Sequence, residues 1–406
     1  MVTDAAIPST APAANKQRLV AVDATRGIAL LGMMAVHALF AYDAEGHVTW
    51  TYELAAGRSA ATFAVLAGVG IAFMTGRRQV LGRERRAVAA ALAVRALLIA
   101  VIGLALGYAD PSIMSVILVY YAVLFVLAIP LTFLPDWALA VTGVCISVGM
   151  PVVSHLVLPF LPEASGVNPS FELVLSQPGA LLTELTLTGV YPALPWMAYI
   201  CAGLLVGRLR LSSLQTATRL LAYGAAAAVT AAAASLWALH GLGGEQQLYA
   251  TAAEAGISSE EVTDMLIWGT AGTTPTTTWW WLATDAPHTT TPLDLLHTTG
   301  VAVALLGAML LLESLAARNR ALMTAMRVLG AAGGMTLTLY AAHVMFMNSP
   351  LDVFDATTGY LLQVAAALTF AWVWHLRLGR GPLETLVSKA SQAARHAVMP
   401  KASPAP

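Results

Sequence analysis

Ten stretches of about 20 apolar residues, recurring between residues 19 and 376, constrain this chain more than anything else in it. At 1.5 Å rise per residue, a helix of that length crosses the hydrocarbon layer of a bilayer. The stretches read as helices over 19–41, 58–76, 91–109, 113–134, 137–158, 189–208, 215–240, 293–314, 327–348 and 354–376. Inside lipid each backbone N–H and C=O must find its partner within the segment. An all-α, polytopic integral membrane protein of about ten transmembrane helices is therefore expected. Composition agrees, since 58% of the 406 residues are hydrophobic and 11% are charged, against about 25% charged in soluble domains. An apolar excess of that size has to face lipid.

Charge is distributed unevenly along the chain. Arg77, Arg78, Arg83, Arg85 and Arg86 crowd the second connection, GRRQVLGRERR. Arg208, Arg210 and Arg219 flank the sixth-to-seventh turn, Arg318, Arg320 and Arg327 the eighth-to-ninth, and Arg377, Arg380 and Lys389 follow the tenth helix. The segments 42–57, 110–112, 159–188, 241–292 and 349–353 hold no Lys or Arg. Because cytoplasmic loops retain basic residues, the pattern predicts both termini inside the cell and an even number of spans in the cell membrane.

The domain plan is simple. Residues 1–17 read as a disordered cytoplasmic N-terminus, without the short apolar core and cleavage site of a signal peptide. Residues 18–388 form the membrane domain, and 389–406 read as a disordered cytoplasmic tail. Two outer segments are long enough for structure of their own: 159–188, with a short amphipathic piece, and 241–292, with a helix around 247–268. The Trp and Thr cluster at 276–281 suits either headgroup depth or the face of a sugar. Cys145 and Cys201 fall in apolar segments and read as packing residues. No zinc spacing, Walker loop or nucleophile elbow is present, so neither a metal nor a nucleic acid is expected.

Polar groups inside the membrane carry the functional signal. Asp23 and Arg26 lie three apart on the first helix and neutralise one another; they either orient that helix or stand near a cofactor entering from the cytoplasm. Gly27 and Gly32 permit close helix approach. Of nine histidines, seven fall at outer helix ends or in outer loops: His37, His47, His155, His240, His288, His297 and His343. Imidazole titrates near neutrality, which suits proton transfer.

Several ordered motifs resemble a known family. Residues 18–30, RLVAVDATRGIAL, resemble the R-x-x-x-[LV]-D-x-x-R-G-x-A opening of the transmembrane acyltransferases typified by heparan-alpha-glucosaminide N-acetyltransferase and its bacterial relatives. His47-Val-Thr-Trp50 is similar to the family's H-x-[ST]-W element, and FAVLAGVGIAF around Gly68 to its second helix. Tyr191–Trp196 with Gly203, Gly207 and Arg208, Gly334–Tyr340 with His343, and Gly381–Glu384 continue the likeness to the end of the membrane domain.

The resemblance implies transfer of an acyl, most simply acetyl, group from cytosolic acetyl-CoA to a sugar, glycan or glycolipid acceptor on the far side. It makes His47 the catalytic residue, with His37 beside it; which of the two is the main base stays open at this level. Asp23, Arg26, Arg77 and Arg78 are the candidate coenzyme contacts, and Trp50, His288 and His343 the candidate acceptor contacts. Partners are then acyl-CoA, the acceptor and membrane lipid, with a homodimer left open. An outer face without Lys or Arg favours a neutral or amino sugar over a sulfated one. A transporter or flippase for a small solute or lipid-linked sugar is the competing reading, and a non-catalytic envelope scaffold a third.

Overall fold

The structure, a computed structural model, describes residues 19–43 and 45–399; the expected N-terminal tail, including Arg18 of the first motif, lies outside them. The first span is α1 (Val20–Ala38). A short outer helix, α2 (Trp50–Ala55), turns at Gly57 into α3 (Arg58–Met74). There follow α4 (Glu84–Leu106), α5 (Leu118–Leu131) and α6 (Asp136–Val157). The outer segment 159–188 folds as α7 (Phe171–Ser176) and α8 (Pro178–Thr183), ending in a π-helical turn before α9 (Ala193–Arg208). After α10 (Leu214–Leu236) the second outer segment forms α11 (Gly244–Glu254) and α12 (Ser259–Trp268). Then come α13 (Pro292–Ala316), α14 (Arg320–Gly333), α15 (Thr336–Met347), α16 (Ala356–Leu378) and α17 (Pro382–Val398).

Among the described residues, seven helices are long and apolar enough to cross a membrane, or nine if each of two bent pairs is one span. At three places the apolar stretches depart from a single uninterrupted span. The stretch 113–134 becomes α5, only 14 residues long, with Pro130 inside its last turn and Pro135 just beyond. The stretch 327–348 is broken by 70° between α14 and α15, where Gly333 and Gly334 weaken the helix. The run Pro178–Thr188 meets α9 at 50°, with Pro192 at the break.

Two smaller expectations also change. The single helix around 247–268 is two, because Gly256 takes a positive φ of 79° and Ser258 starts α12 with a capping box to Glu261. The polar tail after Lys389 is helical to Val398. Its apolar edge, with Val387 and Ser391 buried, gives it a docking face.

Centre and rim are set by which helices carry small residues. More than half of the α1 and α2–α3 windows is buried, whereas 11% of the α6 and α16 windows is, so those two face lipid. At the α3–α9 crossing, a Cβ on Gly68 would stand 2.6 Å from the Ile200 carbonyl oxygen and 2.9 Å from the Gly203 Cα. Gly27 likewise brings α1 against the backbone of α14 at Leu329. Small residues are what let backbones in a membrane approach so closely.

The loops gather at two ends. At one, Asn348 accepts from the Asp110 amide (2.7 Å), Asn168 bonds Val116, Ala109 and Met114, and Tyr52 donates to the Trp268 carbonyl. At the other, Arg208 donates to Asp136 and to the Leu134 carbonyl, and Arg395 to the Met74 carbonyl. The first end is the one with loops poor in Lys and Arg; Arg58, at the start of α3, is the cation that stands there.

Candidate active site

Three membrane helices bring polar side chains together near the arginine-poor end. His37 comes from the last turn of α1, His343 from α15 and Gln363 from α16. The His37 Nδ1 and His343 Nε2 atoms are 3.1 Å apart, and the rings are nearly parallel at 11°. His343 Nδ1 lies 2.7 Å from Gln363 Oε1, and Gln363 Nε2 faces the Met347 sulfur at 3.4 Å. His343 is buried, with 3% exposure, whereas His37 is half-buried and keeps an accessible edge. The bend between α14 and α15 aims His343 at α1. Glu384 of α17 stabilises that bend, since its carboxylate accepts from the Leu337 and Thr338 amides (2.7 and 3.1 Å) and the Thr338 hydroxyl (2.6 Å). These are the first amides of α15, which have no partner within the helix. Two separate sequence motifs, Gly334–Tyr340 and Gly381–Glu384, therefore meet in one cap.

His288 approaches from the loop before α13. Its ring lies 5.5 Å from that of Tyr191, which also packs edge-on against Tyr120 and Trp196. His288 and Thr290 both hold positive φ, near 57° and 56°, a conformation uncommon outside glycine. Burial pushes the His288 imidazole down to about 4, so the ring is neutral near pH 7. Its Nδ1 is buried and has no hydrogen-bond partner within the protein.

The remaining predicted residues lie elsewhere. His47 sits in the exposed loop between α1 and α2, its imidazole 79% exposed and 3.7 Å from Asp43; the structure does not join it to His37. Trp50 is also 79% exposed at the start of α2. His155 packs on Trp279, His240 bonds Glu245, and His297 bonds Asp285 at 2.9 Å, so the outer histidines form several separate contacts. In the tryptophan cluster, Trp281 is fully buried, its indole donating to Thr277, while Trp279 is exposed.

At the opposite end Arg26 donates to Asp23 (3.2 Å) and to the Leu66 carbonyl (3.1 Å), which ties α1 to α3. Arg77, with positive φ, lays its guanidinium over Phe73 at 4.5 Å. One guanidinium nitrogen of Arg78, Nη2, donates to both carboxylate oxygens of Glu84 (2.8 and 2.9 Å). The structure adds Arg95 from within α4: it stacks over Phe125, reaches the Met74 sulfur at 3.7 Å, and its Nε is buried without a partner in the protein. Its signal was legible as an arginine well inside an apolar run. Gln363 gave a similar but fainter one. Among the described residues, no cluster of three or more His, Cys, Asp or Glu is placed to hold a metal ion.

One spacing connects the two ends. Arg26 and His37 are eleven residues apart on α1, three turns to within about 20°, so they share a face about 16 Å apart.

No curated protein matches this chain. The family model of the heparan-alpha-glucosaminide N-acetyltransferase catalytic domain matches residues 18–240, more than half of the 406 residues. The match takes in α1 with Asp23, Arg26 and His37, the loop with His47 and Trp50, the basic connection and the Tyr191–Trp196 motif. His288, His343 and Gln363 fall beyond it. Matched sequence and multi-pass helical architecture agree: the chain belongs to the heparan-alpha-glucosaminide N-acetyltransferase catalytic-domain family of transmembrane acetyltransferases.

Proposed function

We propose that the protein takes an acetyl group from cytosolic acetyl-CoA and delivers it to a neutral or amino sugar, as glycan or glycolipid, on the extracytoplasmic side of the cell membrane. The observation that carries this reading is the 3.1 Å contact between His37 and His343, on the same face of α1 as Arg26. Arginine suits phosphate recognition, so Arg26, Arg77, Arg78 and Arg95 are the groups to meet the charged end of the coenzyme; Arg26 and Arg78 already pair with Asp23 and Glu84, which would have to share them with the phosphates. The thioester then extends along α1 toward His37. There an imidazole nitrogen takes the proton of the acceptor hydroxyl or amine as it attacks the carbonyl carbon. The carbon–sulfur bond breaks, the electron pair leaves on sulfur, and the proton passes from imidazole to the thiolate.

This reading assigns the base to His37 and leaves His47, supported by the resemblance, as an acceptor contact with Trp50 in the exposed outer loop. Purified protein in liposomes should release coenzyme A from acetyl-CoA in the presence of an amino-sugar acceptor. His37→Ala should lower kcat by about 10² to 10⁴, read from thiol release, with the melting profile retained. Undiminished turnover in that variant would sink the assignment. The two bent helix pairs also suit a carrier, whose sites lie at broken helices. Acceptor uptake into liposomes without acetyl-CoA would favour that second reading.

A further inference from the structure

We propose that Gln363 is a positioning residue that fixes which ring nitrogen of each histidine carries a proton, leaving the His37 Nε2 lone pair free for the acceptor. The inference rests on the reading of His37 as base. It starts from the two ends of one amide. Gln363 Oε1 lies 2.7 Å from His343 Nδ1, and Gln363 Nε2 lies 3.4 Å from the Met347 sulfur. A thioether sulfur is a weak acceptor with no hydrogen to donate. Turning the amide over would set its oxygen against that sulfur, two acceptors face to face, and the observed orientation avoids this.

With the oxygen toward His343, Nδ1 of that ring must be the protonated nitrogen. Its Nε2 in the neutral ring is then an acceptor, and the atom 3.1 Å away, His37 Nδ1, must donate to it. His37 Nε2 is left with an unshared pair. The arrangement ends on the histidine that keeps an accessible edge, while the buried one holds the support. An amide does not titrate, so it sets this order without taking up a proton itself.

The chemistry balances around that order. As the acceptor oxygen or nitrogen bonds to the acetyl carbon, its proton moves to His37 Nε2. The Nδ1 proton of His37 can pass to His343 Nε2, placing the positive charge on a ring whose Nδ1–H is already held by Gln363. The transfer reverses as the carbon–sulfur bond breaks. His37 Nε2–H then protonates the departing thiolate, and both rings return to their starting form.

The test reads the rings directly and the kinetics alongside. Ring-nitrogen NMR shifts on isotope-labelled histidine, assigned with His37→Asn and His343→Asn, should show both rings protonated on Nδ1 at neutral pH. Gln363→Met should mix the ring forms and lower kcat on the order of 10²-fold, within the range of a displaced general base, with KM for acetyl-CoA and acceptor nearly constant. Gln363→Glu keeps an acceptor oxygen and should preserve the ring forms. A wild-type His343 protonated on Nε2 would overturn the proposal, as would unchanged shifts in Gln363→Met. Should His37→Ala keep its turnover while the shifts behave as expected, the base assignment fails and the Gln363 contact stands.

Discussion

His37 and His343 touch although 306 positions separate them, and no periodicity along the chain announces the pair. What sequence reading can supply is candidates: an imidazole at a helix end is conspicuous, but its partner depends on how three helices pack. His47 shows the converse, being prominent in its motif yet solvent-facing beside Asp43. His288 carries a consequence for stability. Its folded imidazole sits near 4, below the 6.5 of the unfolded chain. Between those values the unfolded state binds more protons, so stability rises with pH across that window, is complete above about 6.5, and is lost as pH falls toward 4. The loss should reach on the order of 3 kcal/mol. Thermal melts in detergent from pH 4.5 to 7.5 should show that slope, and His288→Asn, which suits the positive φ, should flatten it. A slope unchanged in the variant would assign the effect to other groups.

Among elements, long apolar runs were the most legible, and α1, α3, α10, α13 and α16 stand close to where hydropathy puts them. Bends were not legible. In TAMRVLGAAGGMTLTLYAAHVMF the paired Gly333 and Gly334 mark a weak point, but not that α14 and α15 part by 70° there, because the bend is also held by a carboxylate that arrives from α17. Glu384 satisfies the opening amides of α15 much as Glu313 of α13 satisfies those of Val20 and Ala21 at the start of α1. Glu384→Ala should therefore cost on the order of 2 kcal/mol, seen as a lower melting temperature. It should also reduce turnover, because the axis of α15 sets the aim of His343. Glu384→Gln should recover part of both. A variant with full activity and an unshifted melt would separate the cap from the site.

For the molecule as a whole, the uneven charge resolves into two ends, with the histidine pair near one and the arginine-rich loops at the other. With Cys145 and Cys201 replaced by Ala, a cysteine placed at exposed Ala164 should react with an impermeant thiol reagent from outside the cell. One placed at exposed Ser212 should react only after the membrane is opened. Equal labelling from one side would refute the predicted orientation. The Glu384 cap also bears on when the enzyme is born. Leu337 is made 47 positions before the carboxylate it needs, roughly 2–9 s at typical rates of synthesis of 5–20 residues per second. During that interval six or more spans can already be in the bilayer. The helix that aims the second imidazole is not yet locked, so the histidine pair is completed only when the last helix docks.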